Sequence, residues 1–258
     1  MNINVIIPFK DNFDACKPGL KELLACEEHN FTITPMVGLF IGKNRNRGVA
    51  NSKKKFQDLD GFEYYLFIDS DISFTLKDVL KLIESDKNII SGVYNRHFGY
   101  ESYQCGSFVE GKPGVIKEYG DKDVSGLQEV DWTGAGFLLI KKEVLEALPY
   151  PWFREPIVEY DDISEQVGED VGFCMLAEER SYTVFCDFDV KLDHTPKKMV
   201  AEEITDINSI QADPTELIIE YRNMAKKYAL ESEKEKSKVL AMATVLGWTQ
   251  KKLNDFLS

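Results

Sequence analysis

The sequence predicts an α/β protein built on a mostly parallel central sheet, and three observations carry that prediction. Short runs dense in aliphatic and aromatic residues, "INVIIP", "FEYYLFID", "NIISGVY" and "YTVFCDFDVKL", recur along the chain. Segments with helical start signals lie between them, and such alternation favours helices layered on a parallel sheet. One run also ends on two carboxylates, Asp69 and Asp71. In open sheets of this kind ligands gather at the carboxyl ends of strands.

Taken in order, residues 3 to 8 read as a short buried strand ended by Pro8, and residues 18 to 28 as a helix with Pro18 in its first turn. An apolar segment, 31 to 41, precedes "GKNRNRGVANSKKKF", whose sparse apolar positions suit an exposed helix. "FEYYLFID" is a strand, "SFTLKDVLKLIES" a helix capped by Thr75 or Ser73, and "NIISGVY" the next strand. Residues 97 to 127, rich in Gly, Tyr and Phe, read as loops and short hairpins. "VDWTGAGFLLIKKEVLEAL" gives a strand through Ile140 and then a short helix. Residues 151 to 168 read as a long acidic loop, a length that in compact domains marks lids or disorder. "EDVGFCMLAEER" is a helix, and the last strand runs into Asp193 and His194.

Residues 1 to 212 form the main domain on this reading, and 213 to 258 a helical appendage. Asp213, Pro214 and Glu216 supply a cap, a first-turn proline and a capping-box partner for a helix to about residue 230. Two shorter helices follow, broken near Gly247.

Composition excludes several classes. With 258 residues and 43% hydrophobic content the chain can bury a full core. A net charge of −13 disfavours non-specific attachment to nucleic acid or anionic membrane. "MNINVIIPF" lacks the charged start and apolar stretch of a signal peptide, and no apolar run approaches the roughly 18 residues of a membrane span. The expected compartment is cytoplasmic. Cys16, Cys26, Cys105, Cys174 and Cys186 form no C-x-x-C pair, so buried thiols are expected rather than disulfides or zinc.

In an extended strand alternate side chains share a face, which would aim Asp69 and Asp71 into one crevice and Ser70 away from it. Two carboxylates there repel each other, and a divalent cation such as Mg²⁺ or Mn²⁺, shared with substrate phosphates, removes the conflict. Asp71 as a helix cap is the plainer alternative. Glu169 and Asp170 open a helix, where acidic side chains are favoured by the exposed N–H groups in any case. "TGAGF" fits neither a dinucleotide fingerprint nor a P-loop.

The ordered set "NVIIPF", "RNRGVAN", "YLFIDSDISF", "VDWTGAGFLLIKKEVLEALPYPWF" and "GEDVGFCMLAEERSYTVFCDFDVKLDH" resembles GT-A-fold glycosyltransferases, especially family-two-like enzymes of bacteria and phages, over about residues 3 to 195. The resemblance implies a Rossmann-like GT-A fold and a metal-dependent transfer from a nucleoside-diphosphate sugar, with a UDP-sugar adopted as donor. It places Pro8, Phe9, Lys10, Arg45, Asn46, Asp69 and Ser70 around the nucleotide, with Asp69 near ribose or metal-bound water. Asp69, Asp71 and His194 would together form the site for Mn²⁺ or Mg²⁺, with Asp71 as a direct ligand. Asp170, next to Glu169, would be the general base of an inverting reaction. Gly134, Ala135 and Gly136 would approach the sugar, and Trp132, Trp152 with Phe153, and His97 in the loop "NRHFGYESYQCGSF" would meet the acceptor.

Two rival functions remain at this stage. One is a sugar-phosphate nucleotidyltransferase, although "PFKDNFDACKPG" lacks the expected Gly-rich loop; the other is a silent sugar-nucleotide or glycan-binding module. The aromatics of the loop "NRHFGYESYQCGSF" leave a sugar, a base or a peptide open as acceptor, with a glycan or a modified DNA base as the two expectations carried forward. Ala243, Gly247 and Leu253, with Met242, Leu246, Trp248 and Phe256, have a helix-turn-helix-like spacing that suits nucleic acid. The plainer use of these helices is docking on the main domain or a homodimer contact.

Overall fold

The computed structural model describes residues 1–9, 14–38, 40–55, 61–95, 102–120 and 124–194. Lys10, His97 and the whole appendage 213–258, with the domain boundary expected at 212, lie outside the described residues. In chain order the elements are β1 (Asn2–Phe9), α1 (Lys17–Leu24), β2 (Asn30–Val37), α2 (Ile41–Lys55), β3 (Tyr64–Ile68), β4 (Ile72–Ser73), α3 (Leu76–Glu84), β5 (Ile89–Tyr94), β6 (Ser102–Val109) and β7 (Lys112–Gly120). There follow β8 (Leu127–Val130), β9 (Trp132–Thr133), β10 (Phe137–Lys141), α4 (Lys142–Ala147), β11 (Ile157–Tyr160), β12 (Ile163–Gln166), α5 (Glu169–Glu178) and β13 (Val184–His194).

The central sheet has the order β2-β1-β3-β10-β5-β13-β4, with β8 also on β13. The pairs β1/β2, β1/β3 and β5/β13 are parallel. β10 enters between β3 and β5 antiparallel to both, so β3 and β5 still run the same way. The sheet is thus mostly parallel, as expected, with one reversed strand at its centre. Strands covered on both faces read as continuous apolar runs, and residues 64 to 68 are buried without a break.

Alternation divides the core into two layers. Ile3, Val5, Ile7, Leu66, Ile68, Phe137 and Leu139 pack on one side with Leu20 and Leu23 of α1 and Val79, Leu82 and Ile83 of α3. Ile6, Tyr65, Phe67, Leu138 and Ile140 face the other side, against Val49 of α2, Val144 and Leu145 of α4 and Phe173 and Leu176 of α5. Local chemistry sets the α3 start: the Thr75 backbone N–H and hydroxyl both donate to the Asp78 carboxylate, each at 2.8 Å.

Three expectations need correction. Pro8 does not end β1, which continues to Phe9 with Pro8 opposite Met36 of the neighbouring strand. α2 is not a merely exposed helix, because Asn44, Arg45 and Asn46 are buried together with Val49. Residues 151 to 168 are not one loop: Ile157–Tyr160 and Ile163–Gln166 pair as an antiparallel hairpin leading directly into α5. Similarly, β6 and β7 form a hairpin that is extended further by β9.

Candidate active site

The site assembles at the carboxyl edge of β3, β5 and β13. β3 stops at Ile68, and Asp69 to Ile72 make a tight turn closed by the Ile72 N–H donating to the Asp69 carbonyl, 3.1 Å. Strand alternation therefore does not orient the two aspartates. The turn does, and it sends them to neighbouring partners. Asp69 faces α2, while β4, beginning one residue after Asp71, pairs antiparallel with the end of β13 and sets His194 opposite Ile72. Asp71 Oδ1 consequently lies 3.5 Å from His194 Nε2.

His194 is held from behind. Its Nδ1 lies 2.8 Å from the Asn95 carbonyl, which can only accept, so Nδ1 carries a proton and Nε2 is the atom presented to Asp71. The ring also meets Tyr94 edge-on, with centroids 5.4 Å apart. Burial, the largest influence, disfavours the imidazolium, yet hydrogen bonds to Asp71 and Asn95 outweigh it and raise the His194 pKa.

Arg45 joins the two acidic segments. Its Nη2 donates to Asp69 Oδ1 at 2.6 Å and its Nη1 to Glu169 Oε1 at 2.5 Å, while the guanidinium lies 5.7 Å from the centroid of the Phe153 ring. The Arg45 side chain is only 3% exposed, so this cation is balanced inside the protein rather than by water. Its Nε is buried with no hydrogen-bond partner among the described residues. Asp69 is raised above the usual carboxylate range, mainly by burial, with Arg45 opposing and Asp71 adding to the rise. Asp170, beside Glu169 in the first turn of α5, is pushed up to about 6 by burial and then by Glu169, again against Arg45. The Val171 N–H donates to its Oδ1 at 2.8 Å.

A carboxylate oxygen and an imidazole nitrogen whose ring is fixed by a backbone carbonyl are a donor set suited to a divalent cation. Asp71 and His194 provide it. Asp69, expected beside them, is instead engaged by Arg45, and among the described residues no three His, Cys, Asp or Glu side chains form a ready metal-holding group. A cation here would take these two ligands from the described residues and leave its remaining positions to other oxygens, such as those of water or substrate.

The other expected residues divide sharply. Pro8 and Phe9 are buried at the end of β1, and Ser70 sits half-exposed in the aspartate turn. Asn46 does not face a nucleotide pocket: its Nδ2 donates to the Phe153 carbonyl at 2.7 Å and its Oδ1 accepts the Phe153 N–H at 3.0 Å. Trp132 is 1% exposed and belongs to the core, so it offers no acceptor platform. Trp152 is likewise buried, with its Nε1 donating to the Leu145 and Leu148 carbonyls at the end of α4. Phe153 stacks on Phe173 at 4.9 Å and underlies Arg45. Ala135 is buried, and Gly134 and Gly136 make room for a protein group rather than a sugar: a Cβ added to either would lie 2.4 or 2.5 Å from the Tyr94 hydroxyl.

Sequence reading missed Tyr94 and Asn95, although both stand at a strand's carboxyl end, as Asp69 does. It also missed Asn44, whose Nδ2 donates to the Met36 and Gly38 carbonyls and ties α2 to the end of β2.

No protein-family model matches the chain, and no curated protein matches it. Among solved structures it is similar to A197 from STIV, at 18% identity over 76% of this chain and 95% of that one, with a TM-score of 0.47. It is also similar to the catalytic domain of Drosophila beta1,4-galactosyltransferase 7 in complex with xylobiose, at 13% identity over 76% and 71% of the two chains and a TM-score of 0.44. A third is the mannosyltransferase PcManGT from Pyrobaculum calidifontis in complex with GDP-Man and Mn²⁺, at 13% identity over 99% and 84%, with a TM-score of 0.40.

Proposed function

We propose that the chain is a metal-dependent glycosyltransferase that moves a sugar from a nucleoside-diphosphate sugar, with UDP as the nucleotide, to an acceptor hydroxyl with inversion. One observation carries the reading: Arg45 links the turn that bears Asp69 and Asp71, the latter paired with His194, to the helix start that bears Asp170. A candidate cation site at the sheet edge and a half-buried carboxylate at the start of α5 are therefore joined by one side chain.

Asp71 and His194 would hold Mn²⁺ or Mg²⁺, which when bound offsets the negative charge growing on the departing diphosphate. Asp170 accepts the acceptor's hydroxyl proton as that oxygen bonds to the anomeric carbon and the sugar–phosphate bond breaks, its electron pair leaving with the diphosphate. A carboxyl near 6 is mostly ionised at neutral pH yet more basic than an ordinary aspartate, which suits a general base. Glu169, committed to Arg45, positions this end of α5 rather than carrying the proton.

A glycan acceptor is favoured over DNA. The hairpin leading into Glu169 and Asp170 exposes Glu159, Asp161, Asp162 and Glu165, an unwelcoming surface for phosphodiesters. The domain plan of a catalytic 1–212 and a helical appendage is part of the same proposal.

Incubation with a panel of nucleotide sugars, with Mn²⁺ or with EDTA, tests the reading. Metal-dependent release of nucleoside diphosphate is expected. Release of pyrophosphate from a sugar phosphate and a nucleoside triphosphate would instead make the chain a nucleotidyltransferase. Binding of donors with no turnover of any would make it a silent module.

A further inference from the structure

Tyr94 ends β5 with its side chain buried, 5% exposed, in the middle of the site. Its hydroxyl accepts the Gly136 N–H at 2.8 Å. The Gly136 carbonyl in turn accepts the Asp69 N–H at 2.8 Å. On the opposite side, the Tyr94 ring meets the His194 ring edge-on. The hydroxyl also occupies the space that a Cβ at Gly134 or Gly136 would need, and a Cβ at Gly136 would lie 3.0 Å from Asp69 Oδ2. One phenol thus bears on the strand carrying His194 and, through a single residue, Gly136, on the turn carrying Asp69 and Asp71.

We propose that Tyr94 is a positioning residue that sets the separation between Asp71 and His194, and so the affinity of the site for its divalent cation. This rests on the metal-dependent reading above. Rings fix only the His194 side. The turn side depends on the hydroxyl, because without it the Gly136 N–H has lost its partner and the backbone holding Asp69 is free to shift. The two glycines are the sequence counterpart of this arrangement, since any side chain there displaces the hydroxyl.

The test compares the full chain with its Tyr94→Phe variant by electron paramagnetic resonance titration of Mn²⁺ in the presence of UDP, alongside thermal melts. Loss of an outer-shell support lowers metal affinity about tenfold or more, and that weakening is the expected result, with kcat recovering at saturating Mn²⁺. A variant that melts earlier but binds Mn²⁺ as tightly as the original overturns the proposal and leaves a structural tyrosine. Failure of the unmodified chain to bind Mn²⁺ at all overturns the metal-dependent reading and this inference with it. If Tyr94→Phe does not fold, amide exchange on the unmodified chain decides: the Gly136 amide should become more protected on adding Mn²⁺ and UDP, and unchanged protection refutes the link.

Discussion

Replacing Arg45 by methionine removes the cation that, among the described residues, pairs with Asp69 and Glu169, while keeping an unbranched stem over Phe153. Breaking a buried pair by deleting one partner costs about 3–5 kcal/mol, because the remaining charge is left uncompensated. Here the carboxylate side chains retain 24% and 20% exposure, so water relieves part of the penalty. The lower end, about 3 kcal/mol, is therefore expected. At roughly 2–4 °C per kcal/mol for a domain of this size, the melting temperature should fall by about 6–12 °C. The loss should also depend on pH. Arg45 holds down the pKa of both Asp69 and Asp170, so its removal raises both further above the value near 3.9 of an unfolded aspartate. A raised carboxyl means the native state binds more protons than the unfolded one, and stability then falls as pH rises through that window. Calorimetric melts at pH 5 and pH 7.5 should show the larger deficit at pH 7.5. A variant within 2 °C of the parent at both pH values, about the precision that separates an effect of under 1 kcal/mol, would refute the argument that Arg45 sustains the acidic cluster.

Other consequences are separable. Asp170→Asn should lower kcat by about 10²–10⁴-fold with little change in donor KM, since it removes proton transfer and not donor binding; equal losses in both constants would argue for a structural role. The transfer rate should fall as pH drops through about 6, because Asp170 must be ionised to accept a proton, and a rate profile flat from pH 5 to 8 contradicts that assignment. Trp152→Phe should cost about 1–3 kcal/mol in urea unfolding by leaving the Leu145 and Leu148 carbonyls without their donor, while acceptor KM stays unchanged. A raised acceptor KM with unaltered stability would restore the tryptophan as a sugar platform.

The layered fold was legible because its signals are local. Apolar runs such as residues 64 to 68 and the Thr75 start of α3 declare themselves within a few residues. The reversed β10 was not, since direction within a sheet depends on which strand it joins and not on its own pattern. Asp69 and Asp71 stood out from their place at a strand end, whereas the candidate roles of Asp170 and His194 came with the family resemblance. Their division of labour was hidden, because it depends on Arg45 reaching Glu169 across 124 positions and on Tyr94 filling the space beside Gly134 and Gly136. Aromatic residues misled for the same reason: Trp132 and Trp152 look like sugar platforms in a sequence, and only packing shows both to be buried.

Nucleotide binding to the metal site gives the most direct test of the account. In calorimetric titrations, UDP should bind the full chain in the presence of Mn²⁺, lose that affinity when EDTA is added, and bind Asp71→Asn weakly or not at all although the variant remains folded. UDP affinity unchanged by both the chelator and the substitution would contradict the claim that Asp71 and His194 hold a cation against a diphosphate.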